Sequence, residues 1–172
     1  MADNTYTIDS DLYKDMLVDF AKNWLAHDGL WFQAVERHYG LEKAIELDTE
    51  AWIAFTKIEA RRIMKRHNIP ENGGLEALKK ALGCRLYAFL NVQDIRNETP
   101  TSFDFVMVDC RVQSARDRKN MTLFPCKSVG IEEYSGFAST IDPRIKTECI
   151  CCPPDKEAGK DRYCHWRFTI SE

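Results

Sequence analysis

Apolar residues along the first third of the chain recur at helical spacing. Leu17, Phe20, Trp24 and Leu25 fall on one face. Asp9-Ser10-Asp11 precedes them as an N-cap with acidic groups that complement the helix dipole. Asp28-Gly29 interrupts the pattern. Leu30 to Tyr39 then reads as a second helical segment, with Trp31, Val35 and His38 on one face and Gly40 as its stop. The longest helical stretch runs from Leu41 to Asn68, with Ala44, Ile45, Trp52, Phe55, Ile58 and Ile63 near a 3.6-residue period. Cations in ARRIMKRHNIP and the stop at Pro70 close it. After the turn Asn72-Gly73-Gly74, Leu75 to Leu82 predicts a short helix ended by Gly83.

From Cys84 the period changes to two. Leu86, Ala88, Leu90 and Val92 predict one strand, and Phe103, Phe105, Met107 and Val108 another, with Asn97 to Pro100 as their connection. Ser128 to Phe137 reads as a short helix interrupted by Gly130 and Gly136. Ile145 to Ile150 and Tyr163 to Ile170 read as strands joined by the charged loop DKEAGKDR. Helices first and strands afterwards predict one α+β domain over residues 1–172, helical over 1–83, with an antiparallel sheet over 84–172.

Composition narrows the class. Of 172 residues, 44% are hydrophobic and 30% charged, which suits a domain able to bury a real core. A net charge of -3 argues against a nucleic-acid partner. No apolar run approaches the roughly 18 residues that a membrane span requires. The opening MADNTYTIDSDLYKD is too polar for a secretory signal, so the expected location is the cytoplasm. Thiols stay reduced there, so seven cysteines, an odd number, point to metal or chemistry and not to disulfides.

Five of those cysteines lie between Phe124 and Phe168. Cys149 and Cys152 form a C-x-x-C turn, stiffened by Pro153-Pro154, that lets two thiolates converge on one ion. Cys126 and Cys164 complete a tetrahedral set. The expectation is a structural zinc site of Cys126, Cys149, Cys152 and Cys164, with no open position for water. An iron–sulfur cluster uses the same ligands and is not separated from zinc by spacing. Cys151 is the spare thiol of the cluster, and alternation sends His165 to the opposite face from Cys164.

The cysteine run, with its closing C-x-W-x-F, resembles the four-vinyl-reductase domain family, whose ligands are a Cys, a Glu-x-x-Cys pair and a final Cys. Cys149 falls where that family has glutamate, so a shifted register with Glu148 and Cys151 stays open. DGLWFQAVE, CRVQSAR, CKSVGIEEYSGFASTIDPRIKTECICCPPD and YCHWRF resemble a family whose members are labelled "cytosolic protein". They are also similar to the family named for L-2-amino-thiazoline-4-carboxylic acid hydrolase. The resemblance implies a fold shared with ligand-binding domains of nitric-oxide signalling and Golgi-transport proteins. It further implies a small-molecule pocket between helices and sheet, and a homodimer formed through the N-terminal helices.

Other candidates are read from their chemistry. In CRVQSAR, read as a strand, Cys110 shares a face with Val112 and Ser114, while Arg111 and Gln113 face the other way. Arg111 and Arg116 suit bidentate carboxylate binding. Trp31 suits either the core or the wall of an apolar pocket, and Glu36 is either a surface group or a buried acid. The expected function is a cytosolic, zinc-stabilised domain that binds a small organic molecule, as sensor or carrier. The alternative is a hydrolase of small cyclic amidines or amides such as aminothiazoline carboxylate, with Cys110 or Glu36 as the reactive group.

Overall fold

A computed structural model describes residues 9–171, and the polar stretch before Asp9 lies outside them. The architecture is α+β. Three helices come first: α1 (Ser10–Tyr39), α2 (Leu41–His67) and α3 (Gly74–Leu82). Strands β1 (Val92–Thr99) and β2 (Ser102–Asp109) follow, then helices α4 (Arg111–Asp117) and α5 (Lys127–Ile141). Strands β3 (Ile145–Cys151) and β4 (Cys164–Ile170) complete the chain. The four strands form one antiparallel sheet in the order β1-β2-β4-β3. No helix among the described residues is long and apolar enough to cross a membrane.

The core lies between one face of the sheet and the layer of α2, α3 and α5. Phe103, Phe105 and Met107 of β2 stand opposite Phe168, Trp166 and Cys164 of β4, and all six face the helices. Alternation places Asp104 and His165 on the other face. There Arg167 donates two hydrogen bonds to the fully buried Asp104 carboxylate at 2.7 and 3.0 Å, and Asn97 donates a third at 2.7 Å.

Several elements differ from the sequence expectations. Helix α1 runs through Asp28-Gly29 without a break. A helical glycine costs only about 1 kcal/mol relative to alanine, too little to break the run of helix on either side. The expected strand over Leu86 to Val92 is a 3-10 turn at Leu86–Phe89. Its start is fixed by Arg85, whose guanidinium is buried between two helical carboxylates. The first strand begins only at Val92 and is exposed along nearly its whole length, so its sequence QDIRNET shows no apolar alternation. Asn97, expected in the connection, lies inside this strand at an irregularity in the ladder, with φ 50°. CRVQSAR, expected as a strand, is the N-cap Cys110 followed by helix α4 itself. Asn91 Oδ1 accepts from Arg111 N at 2.8 Å where β2 ends.

Helix α5 is longer than expected, and its two glycines pack instead of interrupting. A Cβ on Gly130 would lie 2.8 Å from Trp166 Cζ2, and one on Gly136 would lie 2.7 Å from Thr56 Cγ2. Beside Gly136, Thr56 Oγ1 donates to Glu133 O at 2.8 Å, so a side chain of α2 packs directly on the backbone of α5.

Candidate functional site

The four cysteines arrive from three places. Cys126 is the N-cap of α5, Cys149 and Cys152 lie at the end of β3 and just beyond it, and Cys164 opens β4. Their sulfurs gather around Cys152. Its thiol lies 3.6 Å from Cys126 Sγ and within hydrogen-bonding reach of those of Cys149 and Cys164. A tetrahedral ion with metal–sulfur bonds of about 2.3 Å sets its sulfurs about 3.8 Å apart, close to the spacing of that pair. Among the described residues, no three acidic, cysteine or histidine side chains already stand at ion-clasping distances. As it stands, the cluster is four thiols gathered around Cys152, with the Cys126 edge close to the required length.

The surroundings hold this cluster in place. Gln113 Nε2 donates to Cys126 Sγ at 3.4 Å and to Phe124 O at 2.8 Å, while Gln113 Oε1 accepts from Phe124 N at 2.9 Å. The carboxylate of Asp155 accepts from Cys152 N at 3.1 Å and from Lys127 Nζ at 2.9 Å. Lys127 N donates to Pro153 O at 3.0 Å, tying the start of α5 to the turn after β3. Such outer contacts orient metal-binding thiols and tune their basicity. The shifted register finds no counterpart. Glu148 is exposed and pairs across the ladder with Arg167, while the irregularity between Cys149 and Cys151 places Cys151 beside His165. His165 faces away from the thiols, with Nε2 3.0 Å from Asp104 Oδ2.

Directly beside the cluster is a cavity of about 540 Å³. It is bounded by α1, α2, the turn after Arg85, α4, α5 and the inner face of the sheet. Cys126, Cys152 and Cys164 form part of its wall, and Phe32, Trp52, Tyr87, Tyr134 and Trp166 much of the rest. Trp52 and Tyr87 stack with centroids 6.0 Å apart at 20°.

The expected ligand-binding residues divide. Cys110, Arg111 and Arg116 line the cavity, whereas Trp31 is 70% exposed on the far side of α1. Glu36 lies outside the lining and meets Arg116 Nη1 at 3.4 Å. Arg116 is further committed by donating from Nε to Thr122 O at 2.8 Å, so it is not a free carboxylate fork. Burial pushes the Cys110 thiol up to about 12, which keeps it protonated and poorly nucleophilic.

The buried charged groups in and behind the wall of this cavity were not apparent from the sequence. Arg85, 2% exposed, donates from Nε to Glu59 Oε2 at 2.9 Å and holds Glu133 Oε1 2.7 Å from Nη2. Its Cζ lies 5.8 Å from the Trp52 ring centre, 5.4 Å from those of Tyr87 and Tyr134, and 4.8 Å from that of Phe137. Burial opposes the charge on Arg85, but Glu133 and Glu59 outweigh it and hold the guanidinium above its usual range. Burial also raises Glu133, against the pull of Arg85. It lifts Asp48 to about 7, with Asp28 and Glu133 adding to the rise and a hydrogen bond from Trp52 opposing it. Asp28 is raised by burial too, with His27 opposing. One signal was available: Asp48, Trp52, Thr56, Glu59 and Ile63 fall on one helical face, so acids punctuate a buried stripe.

The chain belongs to the family of unknown function DUF6125, whose model matches residues 7–170. No curated protein matches it.

Proposed function

We propose that this chain is a cytosolic, zinc-stabilised domain that binds a small organic molecule between its helices and its sheet, in a sensor or carrier role. The observation that carries the reading is the cavity of about 540 Å³ walled in part by three of the four clustered cysteines. That volume is in the range of small-molecule sites, and its lining is largely aromatic with a few placed polar groups.

Cys126, Cys149, Cys152 and Cys164 would hold the zinc. Bound there, the ion supplies a structural clip and no open coordination position. These residues do the rest. They pin the start of α5 to the turn after β3 and to the start of β4, and so fix one wall of the cavity. Zinc suits the cluster better than a multi-iron centre, because sulfurs 3.6 Å apart leave space for a single ion between them. The likeness of the cysteine run to four-vinyl-reductase-type domains points the same way.

A homodimer through the N-terminal helices is part of the proposal. Leu17, Phe20 and Leu30 of α1 are each more than half exposed, and Ala21 is the buried residue of that helix. Apolar surface of this extent on a helix face suits a partner. The hydrolase reading draws less support, since the Cys110 thiol stays protonated and Glu36 is engaged by Arg116.

Native mass spectrometry of freshly purified protein, with and without a chelator, tests the reading. The expected result is one zinc per chain, a dimer, and loss of cooperative melting once the metal is stripped. Metal-free protein that melts at the same temperature in chelator would refute the zinc clip.

A further inference from the structure

The buried part of the cavity wall carries more acid than the buried cations beside it can pair. Asp28 from α1, Asp48 from α2 and Glu133 from α5 all line it. Two guanidiniums are buried nearby; both are already engaged, and neither reaches Asp28 or Asp48. Arg85 is shared between Glu59 and Glu133, while Arg116 meets Glu36 and Thr122 O. The three acids feel one another: Asp28 and Glu133 both raise Asp48, and Asp28 raises Glu133. A neutral occupant would leave that repulsion in place, and an anion would add to it.

Two further features describe the occupant. The aromatic rings of the wall are ones that suit a cation: Trp52, Tyr87 and Tyr134 already hold Arg85, outside the lining, within 6 Å of their centres. Independently, Trp166 lines the cavity at 1% exposure, and its Nε1–H has no hydrogen-bond partner. A buried indole N–H normally finds an acceptor, so this one points to a group that the protein does not supply. Lys22, Arg111, Arg118 and Lys119 also line the cavity, but all four are exposed. Water around these exposed cations weakens their pull on a seated ligand relative to that of the more deeply buried acids.

We infer that the cavity selects an organic cation, a protonated amine or amidinium on a small aromatic or apolar body, seated against Asp28 and Asp48 with an acceptor on Trp166 Nε1–H. This inference rests on the pocket reading above and specifies its ligand class.

Titration calorimetry with three probes of one shape tests it: tyramine (cationic), tyrosol (neutral) and 4-hydroxyphenylacetate (anionic). Each carries a phenolic oxygen able to accept from Trp166. The neutral dye N-phenyl-1-naphthylamine reports by fluorescence whether the cavity admits apolar molecules at all. Tyramine is expected to bind at least about tenfold more tightly than either isostere. Asp48→Asn and Asp28→Asn should each erode that preference while leaving tyrosol affinity within about twofold. If tyrosol or 4-hydroxyphenylacetate binds as tightly as tyramine, or the dye enters and none of the three probes binds, the cation inference falls and the pocket stands. If neither dye nor probes bind at millimolar concentration, the pocket reading falls with it. The wild-type series decides the question even if a variant fails to fold.

Discussion

Replacing Arg85 with methionine removes the charge at the centre of the buried network while keeping a long apolar stem in its place. Glu59 and Glu133, 8% and 7% exposed, would then lose the partner they hold at 2.9 and 2.7 Å. Breaking a buried pair by deleting one member costs about 3–5 kcal/mol, because an uncompensated charge stays behind. Coulomb's law at an effective dielectric near 20 gives about 4 kcal/mol for one pair at about 4 Å, the same scale. Against a typical domain stability of about 5–15 kcal/mol, that loss lowers the urea midpoint severely. The loss should depend on pH, and the sign follows from Glu133. Burial already raises its pKa in the folded protein, and the opposing pull comes mainly from Arg85. Without Arg85 it rises further above its unfolded value. A raised carboxyl contributes stability at low pH that disappears as pH climbs through the folded pKa. Urea unfolding of wild type and Arg85→Met at pH 5 and pH 8 should therefore show the larger deficit at pH 8. A deficit below about 1 kcal/mol, or one equal at both pH values, would refute this account of the network.

Other predictions probe separate parts of the molecule. Gly29→Ala should stabilise the protein by about 0.5–1 kcal/mol in thermal or urea unfolding, since a Cβ there meets nothing within 4 Å and the residue lies inside a helix. Cys152→Ser should abolish metal retention in elemental analysis, whereas Cys151→Ser, outside the sulfur cluster, should retain it. Asp142 is held down to about 2, first by its hydrogen bond from Arg144, with Arg144 N and Gly74 N also donating. Its contribution is present above the unfolded carboxyl pKa and lost as pH falls towards 2. Asp142→Asn should therefore flatten the acid limb of the stability curve between about pH 4 and pH 2, as followed by circular dichroism.

Much of the architecture could be read from local pattern because the pattern reflects burial. The buried residues of α2 and α3 follow the helical period, and β4 alternates buried and half-buried positions along CHWRFTI. Reading failed where burial and period part company. Strand β1 is an edge strand held by its ladder to β2, so its side chains carry no alternation to detect. CRVQSAR offered apolar spacing too short to separate strand from helix. Of the site, the cysteine grouping was legible, because four thiols at motif spacing announce themselves. The acids were not. Asp28 sat in what looked like a helix break, and Glu133 lay in a short helix whose glycines read as interruptions. Asp48 and Glu59 belong to a charged helix whose buried side emerges only when α5 packs on it at Gly136 and Thr56.

The two sides of the cavity are anchored very differently. The sheet and α5 belong to the continuous apolar core, whereas α1 is a thirty-residue helix with Ala21 as its buried residue. Elements with so little buried surface open at low free-energy cost, well before global unfolding. The cavity thus has a stiff floor and a compliant roof. Changes in the floor should alter how tightly a guest is held, and changes in the roof how fast it comes and goes.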